Sequence, residues 1–214
     1  MRLDELKLRV RTKMDELGAN DSDMMDIEKD NKELDTMIEL SAVDALSYLL
    51  MRAPLGAIKG ESLRNSQGEI DTTNMVCRVD LPTDFLRLKS VRLSSWKHAV
   101  STLISDDSPI YLMQHDEYAC GTPERPIAFV VDSSDGLKIE LYKAESSTDL
   151  VDLRYIARPA ITESILGDKS MEVPYLLEDA LVYMVASLVL KSYKEFDLSE
   201  AMLKMALSLA NIAE

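Results

Sequence analysis

The sequence predicts an α+β protein: a helical bundle formed by N- and C-terminal helices, with an inserted antiparallel β meander or small sandwich. Three observations predict it. Near the start, Leu3, Leu6, Val10, Met14 and Leu17 recur at steps of three or four, which places them on one helix face. In the middle, Met75, Cys77, Val79 and Leu81 alternate with Val76, Arg78 and Asp80, the period of a half-buried strand. From Pro174 the helical period returns. Residues 1–72 are therefore read as an N-terminal helical part, 73–159 as an inserted β-rich part, and 160–214 as a C-terminal helical hairpin completing the bundle.

The first helix has Gly18 at its end, a residue suited to a C-terminal cap. After the polar stretch Asn20-Asp21-Ser22-Asp23, a second helical pattern runs through Ile27, Leu34, Ile38, Ala45 and Leu49 to the break at Ala53-Pro54. Residues 56–73 contain Gly56, Gly60 and Gly68 with Ser62, Asn65 and Ser66 and few large apolar side chains, and so read as a loop.

The alternating run at 75–81 is stopped by Pro82. Residues 85–93 and 99–104 are the next strand candidates. The clearest hairpin joins 127–131 to 137–142 through Asp135-Gly136, where glycine supplies a positive φ. Residues 150–156 add another strand, ended by Pro159. No helical pattern separates these strands, so parallel crossovers are not expected.

Pro174 is a favourable first helical residue, and Leu177, Leu181, Met184 and Leu188 follow on one stripe. This helix is also apolar off the stripe, at Val182, Val185, Val189 and Leu190, more than one partner helix covers. It should lie centrally, between the N-terminal helices, the last helix and a neighbouring subunit. Tyr175, Val182, Val185 and Val189 are accordingly the expected subunit interface, joined by Trp96, the lone tryptophan, which suits a core or an interface anchor equally. Asp197 and Glu200 have capping-box spacing before a final stripe of Leu198, Met202, Met205, Leu209 and Ile212.

At 214 residues and 46% hydrophobic, the chain can bury a sizeable core. Its formal charge of −14 divides as −6, −3 and −5 when the chain is cut at Asn74 and Pro159, so the acidity is spread. Such a surface repels a phosphate backbone, which argues against sequence-reading of nucleic acid and suits a surface that tolerates nearby DNA without gripping it. No apolar run approaches the ~20 residues of a membrane span, and the charged start Met1-Arg2-Leu3-Asp4-Glu5 is no signal peptide, so assembly in a cytoplasm is expected.

The usual footholds of chemistry are missing. Phosphate-loop, dinucleotide, serine-elbow and zincin motifs do not occur. The two histidines, His98 and His115, lack evident partners; His115 lies near Asp116, Glu117 and Cys120 but reads better as a surface-loop residue than as a zinc ligand. Cys77 and Cys120 read as small buried residues. Asp21, Asp23, Asp26 and Glu28 resemble a calcium loop superficially, yet its sixth position is Asp26 and its twelfth Lys32; as carboxylates at a helix start they meet the positive end of the dipole, as do Glu178 and Asp179. The twelve methionines fill core or supply adaptable contacts. No catalytic, cofactor-binding or metal residues are assigned, and a non-enzymatic protein without cofactors is expected.

Three strings, Leu81-Pro82-Thr83-Asp84-Phe85-Leu86-Arg87-Leu88, Gly121-Thr122-Pro123-Glu124-Arg125-Pro126 leading to Asp135-Gly136-Leu137, and Pro174-Tyr175-Leu176-Leu177-Glu178-Asp179-Ala180-Leu181, resemble the head-to-tail adaptor, or ring, proteins of tailed phages, closest to those of short-tailed crAss-like phages. The resemblance covers residues 75–196 by local strings and the whole chain by architecture. It implies a helical bundle with a β insertion, repeated as a ring of twelve copies in the virion neck, stacked beneath the portal and joining capsid to tail, contacting other neck or tail proteins and passing double-stranded DNA through a central channel during genome ejection. It implies no catalytic residues. A small-molecule-binding or regulatory module of a bacterial cytoplasm is the alternative and would require a concave pocket with convergent polar groups.

Overall fold

The computed structural model describes residues 1–18, 28–67, 69–71, 73–116, 120–134, 136–144, 150–165 and 167–213. The chain forms two compact units: residues 1–59 with 158–214, and residues 60–157. This is the α+β arrangement of terminal helices with an inserted β unit. The insertion begins at Gly60, ahead of the expected 73, and ends at Ala157.

In the helical unit, α1 (Leu3–Gly18) buries Leu3, Leu6 and Val10, and α2 (Glu28–Arg52) buries Ile38, Ala42, Ala45, Leu46, Leu49 and Leu50. The polar stretch 20–23 and Ile27 lie outside the described residues, as do Asp21, Asp23 and Asp26. α4 (Glu178–Ser192) is buried around most of its circumference and packs against α1, α2 and α5 (Phe196–Leu209), the central position its all-round apolar character predicts. Its start differs from expectation. Pro174 is extended at ψ 131°, and a single 3₁₀ turn, Tyr175–Leu177, precedes the helix. At its end Lys194 adopts a left-handed φ of 67°, and the Glu195 N–H donates to Leu190 O at 3.0 Å.

The capping box of α5 does not form. The helix begins at Phe196, Glu195 makes no side-chain cap, and Glu200 pairs instead with Lys204 at 2.7 Å. The buried face is Ser199, Met202, Ala206 and Leu207, rotated from the expected stripe, so Met205 and Leu209 face solvent. A short hairpin, β9 (Ile161–Glu163) with β10 (Lys169–Met171), was not legible in the sequence because three-residue polar strands carry no alternation. It joins the start of α1 through an Arg2–Ser170 bridge and a bond from the Met171 N–H to Met1 O at 3.0 Å.

The inserted unit is a small sandwich. One sheet orders β1 (Glu61–Gln67), β8 (Leu150–Ala157) and β4 (Phe85–Leu93) as β1-β8-β4, all antiparallel. The other comprises β2 (Glu69–Asp71), β3 (Val76–Asp80), β5 (Ile104–Ser105), β6 (Ala128–Ser133) and β7 (Gly136–Tyr142) in the order β2-β3-β7-β6-β5. The β5–β6 pair is parallel, a departure from the wholly antiparallel expectation, and the candidate strand 99–104 shrinks to this pair plus a Val91–Val100 bridge. Cys77, Val79, Leu88, Val91, Leu93, Ile139, Leu141, Val151 and Leu153 form the core shared by the two sheets.

Two glycines have a geometric reason. A Cβ on Gly60 would lie 3.0 Å from Tyr155 O, where the chain passes close to β8. Gly136 opens β7 at φ 119°, inside the predicted hairpin; Asp135 is outside the described residues. The loop expected at 56–73 instead supplies β1 and β2. Their serines, asparagine and glutamates lie on edge strands, where burial does not impose alternation.

Candidate functional site

Of the five residues expected at a subunit interface, the structure leaves one at the surface. Val182, Val185 and Val189 are buried within the chain's own helical unit, because α4 has three helical neighbours and its wide apolar face is consumed by them. Trp96 is buried in the sandwich core, its indole N–H donating to Tyr142 O at 3.1 Å. These four are core residues, which corrects the interface assignment. Tyr175, 84% exposed, stands beside exposed Leu176 in the turn ahead of α4.

The outward apolar surfaces lie elsewhere. On α2, Leu40 (71% exposed), Tyr48 and Met51 occupy one face, interrupted by Asp44, and the Arg52 guanidinium lies 4.6 Å from the Tyr48 ring centroid. On α5, Met205 and Leu209 are about half exposed at 49% and 41%. The α2 face was readable in principle, since 40, 44, 48 and 51 share a helical stripe displaced from the core stripe. A shallow, open groove beside it is lined by Leu40, Ser41, Asp44, Leu188, Lys191 and Ser192. It lacks the buried, convergent polar groups that orient a small ligand.

Charges tie the helical unit together. Glu39 of α2 receives Lys7 at 3.5 Å and also Lys169 of β10, and the Lys169 bond chiefly holds its carboxyl below the usual range. Arg9 of α1 pairs with Asp179, and lies 4.0 Å from Glu178, in the first turn of α4, where carboxylates also meet the helix dipole. Arg11 bonds Asp35 at 2.7 Å.

The buried polar centre of the sandwich is Glu140. It accepts from Arg78 Nε at 2.8 Å, from the Tyr111 hydroxyl at 3.0 Å and from the Tyr142 hydroxyl at 3.1 Å, so its charge is matched by three donors. Burial, then the neighbouring Glu140, pushes the Tyr142 hydroxyl's pKa upward; burial likewise raises that of Tyr111. Phe129 meets both tyrosine rings edge to face, at 5.2 and 5.5 Å.

Cys77 is buried and Cys120 half-buried. His98 is exposed, and the side chain of His115 lies outside the described set with Glu117. Among the described residues no group of three or more His, Cys, Asp or Glu side chains could hold a metal ion, and no helix there is long and apolar enough to cross a membrane. What the arrangement offers is contact surface: apolar side chains on the outer faces of packed helices. The fold defines a two-unit α+β protein. No protein-family model matches the chain, and no curated protein matches it.

Proposed function

We propose that the chain is a structural subunit of a head-to-tail connector ring of a tailed phage, joining portal to tail and lining the channel through which DNA leaves. The observation that carries the reading is the helical unit: α4 is satisfied by α1, α2 and α5, yet α2 and α5 still present Leu40, Tyr48, Met51, Met205 and Leu209 to water. A ring built from one chain needs two different surfaces that complement each other, because each copy meets a neighbour on either side. Two helices with outward apolar faces supply such a pair. The formal charge of −14 fits a wall that lets a polyanion pass without holding it. The local strings resembling phage ring proteins point the same way, and no catalytic role is proposed.

Electron microscopy of the purified chain, alone and mixed with its portal, tests the reading. Closed rings are expected, abolished by the pair Tyr48→Asp and Met205→Asp with secondary structure retained. A chain that stays monomeric at high concentration and with the portal, or rings indifferent to both substitutions, would overturn it.

A further inference from the structure

After β5 the chain runs through residues 106–116, including α3 (Pro109–Leu112), as a strap over the sheet face that carries Phe129, Glu140 and Tyr142. Its side chains are disposed oddly for a fixed cover. Tyr111 points inward, while Ile110, Leu112 (73% exposed) and Met113 face solvent, so the strap shows water more apolar side chains than it buries.

Several of the strap's hydrogen bonds lie within it or tie its two ends to Ser105 and Gly121. The Ser108 N–H donates to Ser105 O at 3.0 Å and the Tyr111 N–H to Ser108 O at 2.9 Å. Gln114, buried, donates from Nε2 to Ile110 O at 3.0 Å and accepts the Gly121 N–H at 2.9 Å. The Asp116 N–H reaches Met113 O at 3.0 Å. The middle of the strap is tied to the sheet by the bond of the Tyr111 hydroxyl to Glu140 at 3.0 Å. The floor is provided for, since Glu140 keeps Arg78 and Tyr142 when Tyr111 leaves and no bare buried charge results. On the β5 side the attachment is a two-residue strand pair and one bond from the Asp106 N–H to Val130 O at 3.2 Å, a natural hinge.

We propose that residues 106–116 form a hinged cover that undocks as a unit, with Tyr111 as its latch, opening the Phe129–Glu140–Tyr142 floor while the sandwich stays folded. The inference does not depend on ring assembly. Hydrogen exchange with mass spectrometry on the full chain tests it, using the parent, Tyr111→Phe and Tyr111→Ala. In the parent, strap amides should exchange faster than those of β6 and β7. Tyr111→Phe, which keeps the ring and removes one hydrogen bond, should speed strap exchange by about two- to tenfold, and Tyr111→Ala by more, with β6 and β7 unchanged. A single rate shared by strap and sheet in the parent overturns the hinge. A strap indifferent to Tyr111→Phe, or a sheet accelerated equally, overturns the latch.

Discussion

Tyr155 shows how one side chain can carry a pH dependence. Its ring stacks on Phe85 with centroids 5.9 Å apart, and its hydroxyl lies 3.3 Å from Glu61 Oε2 and 3.2 Å from Asp84 Oδ1. Ionising it would bury a phenolate beside two carboxylates. Burial first, then Asp84 and Glu61, push its pKa up to about 12 from an ordinary 10.0. A pKa raised on folding favours the neutral form in the native state. The associated stability is complete below about pH 10 and is lost as pH rises through about 12. Absorbance titration of the phenolate band should therefore show a late step in the parent that is missing in Tyr155→Phe. If that variant loses a step near pH 10 instead, the environment assigned to Tyr155 is wrong. The same scale limits sequence reading: Cys77 and Val79 were placed correctly as core, but Val76 is buried as well, because the far side of β3 meets Phe129 and Tyr142. Alternation along one strand cannot report that its second face is covered.

Helices α4 and α5 illustrate what the element scale adds. Ser187 and Ser199 are buried where the two helices meet; each hydroxyl donates to the other's backbone carbonyl at 2.9 Å, and the two oxygens are 3.1 Å apart. Small polar side chains there let the backbones approach closely. Either Ser→Ala substitution should cost about 0.5–1.5 kcal/mol. Each removes its own bond to a carbonyl and the one hydroxyl–hydroxyl contact the two share, so the double variant should cost less than the two singles together. Denaturant midpoints of the four proteins measure the coupling, and strict additivity would refute a paired contact. The hairpin itself was legible from Leu181, Met184, Met202 and the polar turn between them. The facing of α5 was not, because Met205 and Leu209 are as apolar as Met202, and only its packing against α4 decides which of them is covered. Similarly, Asp197 and Glu200 have the spacing of a capping box, but the turn after α4 starts the last helix two residues too early for it, at Phe196 instead of Leu198.

For the whole molecule, the sequence marked the order of helices, strands and helices through changes of period, and it missed what lacks a period. β1 is such a case: a polar edge strand with a register shift between Leu63 and Ser66, held by β8 from far along the chain. The insertion consequently begins at Gly60. Its two sheets and their shared core all lie within residues 60–157. That segment, expressed alone, should melt cooperatively with β-type circular dichroism. Residues 1–59 alone should show little fixed structure, since α4 is absent from them. A segment 60–157 without a cooperative transition would mean that the sandwich depends on the helices.

The central place of α4 also bears on how the chain is made. α1 and α2 leave the ribosome well before the helix that covers their apolar faces, which begins at Glu178. At ~5–20 residues per second, the interval is on the order of ten seconds. The sandwich can finish during that wait, while two early helices remain without their partner. Translation thus leaves a nascent chain with one completed unit and one sticky unit until α4 emerges, and a stall before Glu178 would prolong the stage most exposed to aggregation.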